Sequence, residues 1–122
     1  MKKTSEEYSL LYDYYGTLLS GRQCEVFELY YEENLSLSEI AANLGVSRQA
    51  VHIALGKASA FLEIFEDKLG LIAKHAACEQ SLNEAEERIN AVLKDKALAA
   101  LASPDVVKDL KRVKKLIKGL DI

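Results

Sequence analysis

Apolar residues recur along the chain at steps of three and four, the spacing that gathers side chains on one face of an α-helix. Leu11, Tyr15, Leu18 and Leu19 form such a face in a first helix, with Ser5 as its cap and Glu6 and Glu7 in its first turn. Ser20 and Gly21 punctuate. Ser20 caps a second helix predicted from about Arg22 to Glu32, with Val26, Leu29 and Tyr30 as its buried stripe and Phe27 and Tyr31 on the next row. Asn34 opens a turn, and Ser36-Leu37-Ser38-Glu39 is a capping box that starts a short helix ending at Leu44. Gly45 suits a left-handed cap, Val46 is expected to plug the turn, and Ser47 caps a long helix. In that helix Val51, Leu55, Ala58, Leu62, Phe65, Leu69 and Ile72 alternate steps of four and three, with Phe61 and Ile64 widening the arc. Gly70 is placed to break or bend it.

From Ile72 to Ala102 the chain stays helix-prone, with Glu84, Glu86 and Glu87 at exposed positions. Ser103-Pro104-Asp105 is a new helix start: a cap, a proline at the first position and an acid at the second. The last helix is expected to bury Val106, Leu110, Val113, Ile117 and Leu120. Lys108, Lys111, Arg112, Lys114, Lys115 and Lys118 are then left outside. The predicted class is all-α, with a helix-turn-helix core over residues 1–71. A C-terminal helical extension over 72–122 packs on that core or on a partner chain.

The stretch from Leu37 to Lys57 carries the inference. Ala41 and Ala42 supply small residues for a helix crossing, Gly45 the tight turn, and Ile40, Leu44, Val51 and Leu55 a small core. In such a motif the first turns of the second helix enter the major groove. Those turns present Ser47, Arg48, Gln49 and His52. An arginine grips guanine and a glutamine grips adenine, each bidentately, while Ser47 with the helix N-terminus holds a phosphate. Arg22 and Lys57 are candidate phosphate contacts. The competing reading is a helix-turn-helix that serves only as a protein-binding scaffold, with Arg48 and Gln49 merely solvated.

Charge bears on that choice. Residues 1–70 hold 6 Lys/Arg against 11 Asp/Glu, and residues 71–122 hold 10 against 8, so the half that bears the motif is acidic. Phosphate contacts dominate nucleic-acid affinity, which the acidic balance opposes. The six cations of the last helix suit RNA phosphates or an anionic surface, or a solvated face opposite the acids of residues 79–87 of the same or another chain. Cys24 and Cys78 read as reduced thiols of a cytoplasmic protein. No apolar run reaches a membrane span, and the polar N-terminus is not a signal peptide. His75 and Cys78 have the spacing of half a zinc site but lack a second pair, so no metal and no cofactor is expected. The tyrosines Tyr12, Tyr14, Tyr15, Tyr30 and Tyr31 read as packing residues rather than base-stacking platforms. Neither a phosphate loop nor a reactive cluster is found, so an enzyme and a small-molecule substrate are not expected.

The run LYDYYGTLLSGRQCEVFELYYEENLSLSEIAANLGVSRQAVH, residues 11–52, continued by FLEIFEDKLGL, residues 61–71, resembles the YlxM family of small bacterial proteins. Arg22-Gln23, Tyr30-Tyr31 and Ser47 to His52 are the distinctive landmarks. The resemblance implies a helix-turn-helix similar to the fourth region of bacterial sigma factors, of the winged-helix-like DNA-binding superfamily type. It also implies a regulatory or accessory role in the signal recognition particle pathway. The chain departs from the family pattern after His52, where Ile53-Ala54-Leu55-Gly56 replaces polar and basic residues before Lys57. Two functions follow as expectations. The first is a non-enzymatic nucleic-acid-binding factor, for DNA or RNA, that acts through Ser47, Arg48, Gln49, His52, Lys57 and Arg22. The second is a module that binds signal recognition particle components through the helical arm. The seam from Val51 to Ile72 is also the expected ground for a homodimer.

Overall fold

In a computed structural model, which describes residues 3–95, 101 and 103–120, every regular element is helical among the described residues. The chain is thus all-α, as expected. Helix α1 spans Ser5–Tyr15, α2 Gly21–Phe27, α3 Leu37–Leu44, α4 Arg48–Leu69, α5 Leu71–Lys94 and α6 Pro104–Lys118. Two compact units divide at Ile72 and Ala73.

The cap of α1 is Thr4 rather than Ser5. Its hydroxyl accepts the Glu7 N–H at 3.2 Å and the Glu7 carboxylate accepts the Thr4 N–H at 3.2 Å, so the box spacing of three selects Thr4. After Tyr15 the helix tightens into a 3-10 turn, Gly16–Leu18. Three residues per turn instead of 3.6 rotates Leu18 out of the predicted face, and it is 57% exposed while Leu19 stays buried. The Ser20 and Gln23 box opens α2 as predicted. The single helix expected to Glu32 instead widens after Phe27 into a π-helical turn, Glu28–Glu32. That widening shifts the phase again. Phe27 becomes fully buried, and Leu29 and Tyr30 are left half-buried.

Helix α4 is the spine of the first unit: α1, α2 and α3 all pack on it. Val51, Leu55, Ala58 and Leu62 meet Tyr8, Leu11, Tyr15, Val26, Phe27, Ile40 and Ala41 in one buried cluster. The heptad-like seam is therefore spent on the chain's own core, and its far end, Leu69, is exposed. Gly70 ends α4 in the left-handed region at φ 61°. Helix α5 follows at once with no capping side chain of its own. The Tyr15 hydroxyl, which donates to Glu66 Oε1 at 2.5 Å, accepts the Leu71 N–H at 3.1 Å, and Glu66 Oε1 also accepts the Ile72 N–H at 3.0 Å. Two otherwise orphaned helix-start donors are satisfied from α1 and α4.

In the second unit Ser103 caps α6 with Pro104 at its first position, as the sequence indicates. The packed side is rotated from the predicted stripe. Val107, Leu110, Lys114 and Ile117 are half-buried, whereas Val106, Val113, Leu116 and Leu120 are exposed. The long stem of Lys114 takes a place the stripe assigned to Val113. Lys118 reaches Glu86 of α5 at 3.6 Å, so part of the basic face sits opposite an acid of the predicted region in the same chain. The helix expected to run on to Ala102 is described only as far as Lys94; residues 96–100 and 102 lie outside the described residues.

Candidate nucleic-acid interface

The turn between α3 and α4 is built from its ends inward. Ser36 and Glu39 close a capping box on α3, with distances of 3.1 Å in both directions, and the Ser36 N–H and hydroxyl hold the Glu39 carboxyl below the usual carboxylate range. Gly45 takes φ 67° and returns its N–H to Ala41. The Val46 N–H also reaches the Ala41 carbonyl, at 3.1 Å. Val46 was expected to plug the corner with its side chain, but that side chain is exposed, and the backbone bonds hold the corner instead. Ala41 is buried at the crossing; Ala42, expected beside it, is exposed.

Ser47 caps α4, its hydroxyl accepting the Ala50 N–H at 3.0 Å. Val51 is 1% exposed, and with Leu55 it fixes the rotation of the helix about its axis. Arg48, Gln49 and His52 are consequently exposed on the first turns. Arg48 and His52 stand one turn apart on a single line, and Gln49 lies one residue round from Arg48. Lys57 is exposed too, but nine residues on it lies half a turn round from Arg48 and about 13 Å further along the axis. It does not share the line. Arg22 is exposed in the first turn of α2. The patch brought together is thus Ser47, Arg48, Gln49 and His52, with Ile53 exposed beside Gln49.

The first turns of α2 and α4, which carry Arg22 and Arg48, contain no acid, whereas those of α1, α3 and α6 do. A helix start without a carboxylate leaves its positive dipole end to an incoming anion. His52 also borders a cleft of about 570 Å³ with Tyr30, Tyr31, Leu37 and Ser59, which sequence reasoning did not find because its walls come from four separate elements. The tyrosines pack as expected: Tyr8 on Tyr31 at 5.3 Å, and Tyr30 edge-on to Tyr31 at 4.9 Å. Cys24 is half-buried and Cys78 exposed, both as free thiols. None of the described helices is long and apolar enough to cross a membrane.

In sequence the chain is similar to known proteins. The sequence model of the family UPF0122, described as "Putative helix-turn-helix protein, YlxM / p13 like", matches residues 1–101. A UPF0122 protein of Thermoanaerobacter sp. (strain X514) is 35% identical over 114 residues, 93% of each chain. One from Acetivibrio thermocellus is 40% identical over 116 residues, again 93% of each, and one from Desulforamulus reducens is 49% identical over 82 residues, covering 67% of this chain and 70% of its own.

Proposed function

The chain belongs to the UPF0122 family of helix-turn-helix proteins, and we propose that it is a cytoplasmic nucleic-acid-binding factor, regulatory or accessory, of the signal recognition particle pathway. The observation that supports this most is the acid-free start of α4, where Arg48, Gln49 and His52 stand exposed on a helix clamped from behind by Val51 and Leu55. Arg48 and Gln49 read base edges, His52 follows one turn down, and Ser47 with the helix start receives a phosphate. Arg22 and Lys57 add backbone contacts from outside the patch. The pathway assignment rests on the family likeness.

A protein-interaction module is the second reading, supported by the acidic balance of residues 1–70 and by Ile53 exposed where base contacts would extend. A homodimer draws its support from the exposed Val106, Val113, Leu116 and Leu120 of α6, since Val51, Leu55, Ala58 and Leu62 of the α4 seam are spent on the chain's own core.

Fluorescence anisotropy of the full chain decides between them. The probes are labelled signal recognition particle RNA and a duplex from upstream of that operon, each at low and at physiological salt. Saturable binding that falls steeply with salt, and by roughly tenfold in Arg48→Ala, is the expected result. Absence of binding to both probes at low salt would remove the nucleic-acid reading.

A further inference from the structure

We propose that the first unit carries a second docking site, a groove at the C-terminal half of α4 that receives a basic amphipathic helix of a partner protein. The groove, of about 530 Å³, runs between α1 and α4. Its floor is apolar: Leu10, Leu11, Ile64 and Ile72. Leu10 and Ile64 are each 44% exposed, far more than the core beneath them. Around this floor stand Glu7, Glu63, Glu66 and Asp67, with Lys3 as the cation among the described lining residues. An apolar strip lined by carboxylates is the complement of a helix with leucine-type residues on one face and lysine or arginine beside them. An acidic or neutral helix would leave those carboxylates facing like charge or buried without a counter-ion.

Two of the rim acids are held in place: Glu7 by the Thr4 N–H, and Glu66 by partners on α1 and α5. Glu66 accepts from the Tyr15 hydroxyl and from the Ile72 N–H. A charge already held in place costs less to pair than one on a free side chain. Ile64 lies sixteen residues beyond Arg48 on α4, about 24 Å along the axis. A nucleic acid at the first turns and a helix in the groove therefore occupy different ends of one rigid element. This inference does not depend on the nucleic-acid reading, and its variants leave Arg48 and Gln49 untouched.

The test uses the full chain and a fluorescein-labelled eighteen-residue Leu/Lys amphipathic peptide as probe. A scrambled peptide of the same composition is the control. Saturable binding of the amphipathic probe alone is expected. Ile64→Glu should weaken it roughly tenfold, the scale of one lost apolar anchor. Asp67→Lys should weaken it several-fold, while Glu79→Lys, an equal charge change on α5, leaves it unaltered. Both groove substitutions fall at exposed positions, so unchanged circular dichroism and melting are expected to accompany the loss. Equal weakening by Asp67→Lys and Glu79→Lys, or equal binding of the scrambled peptide, would mean diffuse charge attraction and overturn the proposal. A dimer in sedimentation that Ile64→Glu converts to monomer would overturn it as well, by assigning the groove to a second copy.

Discussion

Tyr15 is 1% exposed, yet its hydroxyl holds three elements together: it donates to Glu66 on α4 and accepts the first N–H of α5. Most helices here are opened by a residue of their own, Thr4, Ser20, Ser36, Ser47 or Ser103. Helix α5 borrows a partner from α1 instead. Tyr15→Phe keeps the ring against Phe65, at 6.0 Å, and removes only the oxygen. The Leu71 N–H then loses its hydroxyl acceptor, and Glu66 loses one donor while keeping the Ile72 N–H. The expected cost is about 1 kcal/mol, the scale of one intramolecular hydrogen bond, since Leu71 is itself 46% exposed. Chemical denaturation measures it, and hydrogen exchange should open first at Leu71 and Ile72. A variant as stable as the parent, with those amides still protected, would show that α5 does not depend on the hydroxyl.

Two glycines of the helix-turn-helix make opposite demands on their elements. Gly45 ends α3 at φ 67°, where a side chain is strained although its Cβ would meet nothing within 4 Å. Gly56 lies inside α4, also with open space where a Cβ would sit. Gly45→Ala should thus lose about 1 kcal/mol and Gly56→Ala should gain about 0.5–1 kcal/mol, since only the first imposes a left-handed conformation. Thermal melts of the two variants check the sign directly. If Gly56→Ala destabilised the chain, the opening beside it would not be vacant in solution. The same contrast explains what was readable in advance. Ser20, Ser36, Ser47, Ser103 and Gly45 were legible because a cap is a local rule acting over three residues. Leu18, and Leu29 with Tyr30, depart from the expected face because a 3-10 turn and a π turn reset the helical phase, and a 3.6-residue period does not foresee either. The exposure of Arg48, Gln49 and His52 followed from the inward seam at Val51 and Leu55. The groove did not, because Leu10 and Ile64 are brought together only by tertiary packing.

Across the first unit, aromatic rings join what the helices alone would leave separate. Tyr12 stacks on Phe27 at 4.7 Å, Phe27 meets Tyr31 at 4.5 Å, and Tyr31 meets Tyr8 at 5.3 Å. Tyr12 also donates to Glu28 at 2.6 Å. Burial first, and then a neighbouring carboxylate, pushes the phenols of Tyr8, Tyr12 and Tyr15 above the usual value of 10.0; burial does the same for Tyr31. A phenol whose pKa is raised by folding stays protonated after its unfolded counterpart has lost the proton. Its contribution is complete below pH 10 and is lost as pH climbs from there through the higher folded values. With four phenols in one unit the loss should be steep, approaching several protons per molecule. Denaturant midpoints measured from about pH 8 to 11 should fall once the pH passes about 10, while the tyrosinate absorbance of the unfolded chain rises over the same range. Tyr12→Phe retains the stack on Phe27 but has no proton to lose, so its midpoint should start lower, for want of the Glu28 bond, and decline less steeply. Stability that stayed flat through pH 10, or a Tyr12→Phe slope equal to the parent's, would place the alkaline limit of the fold elsewhere than in these rings.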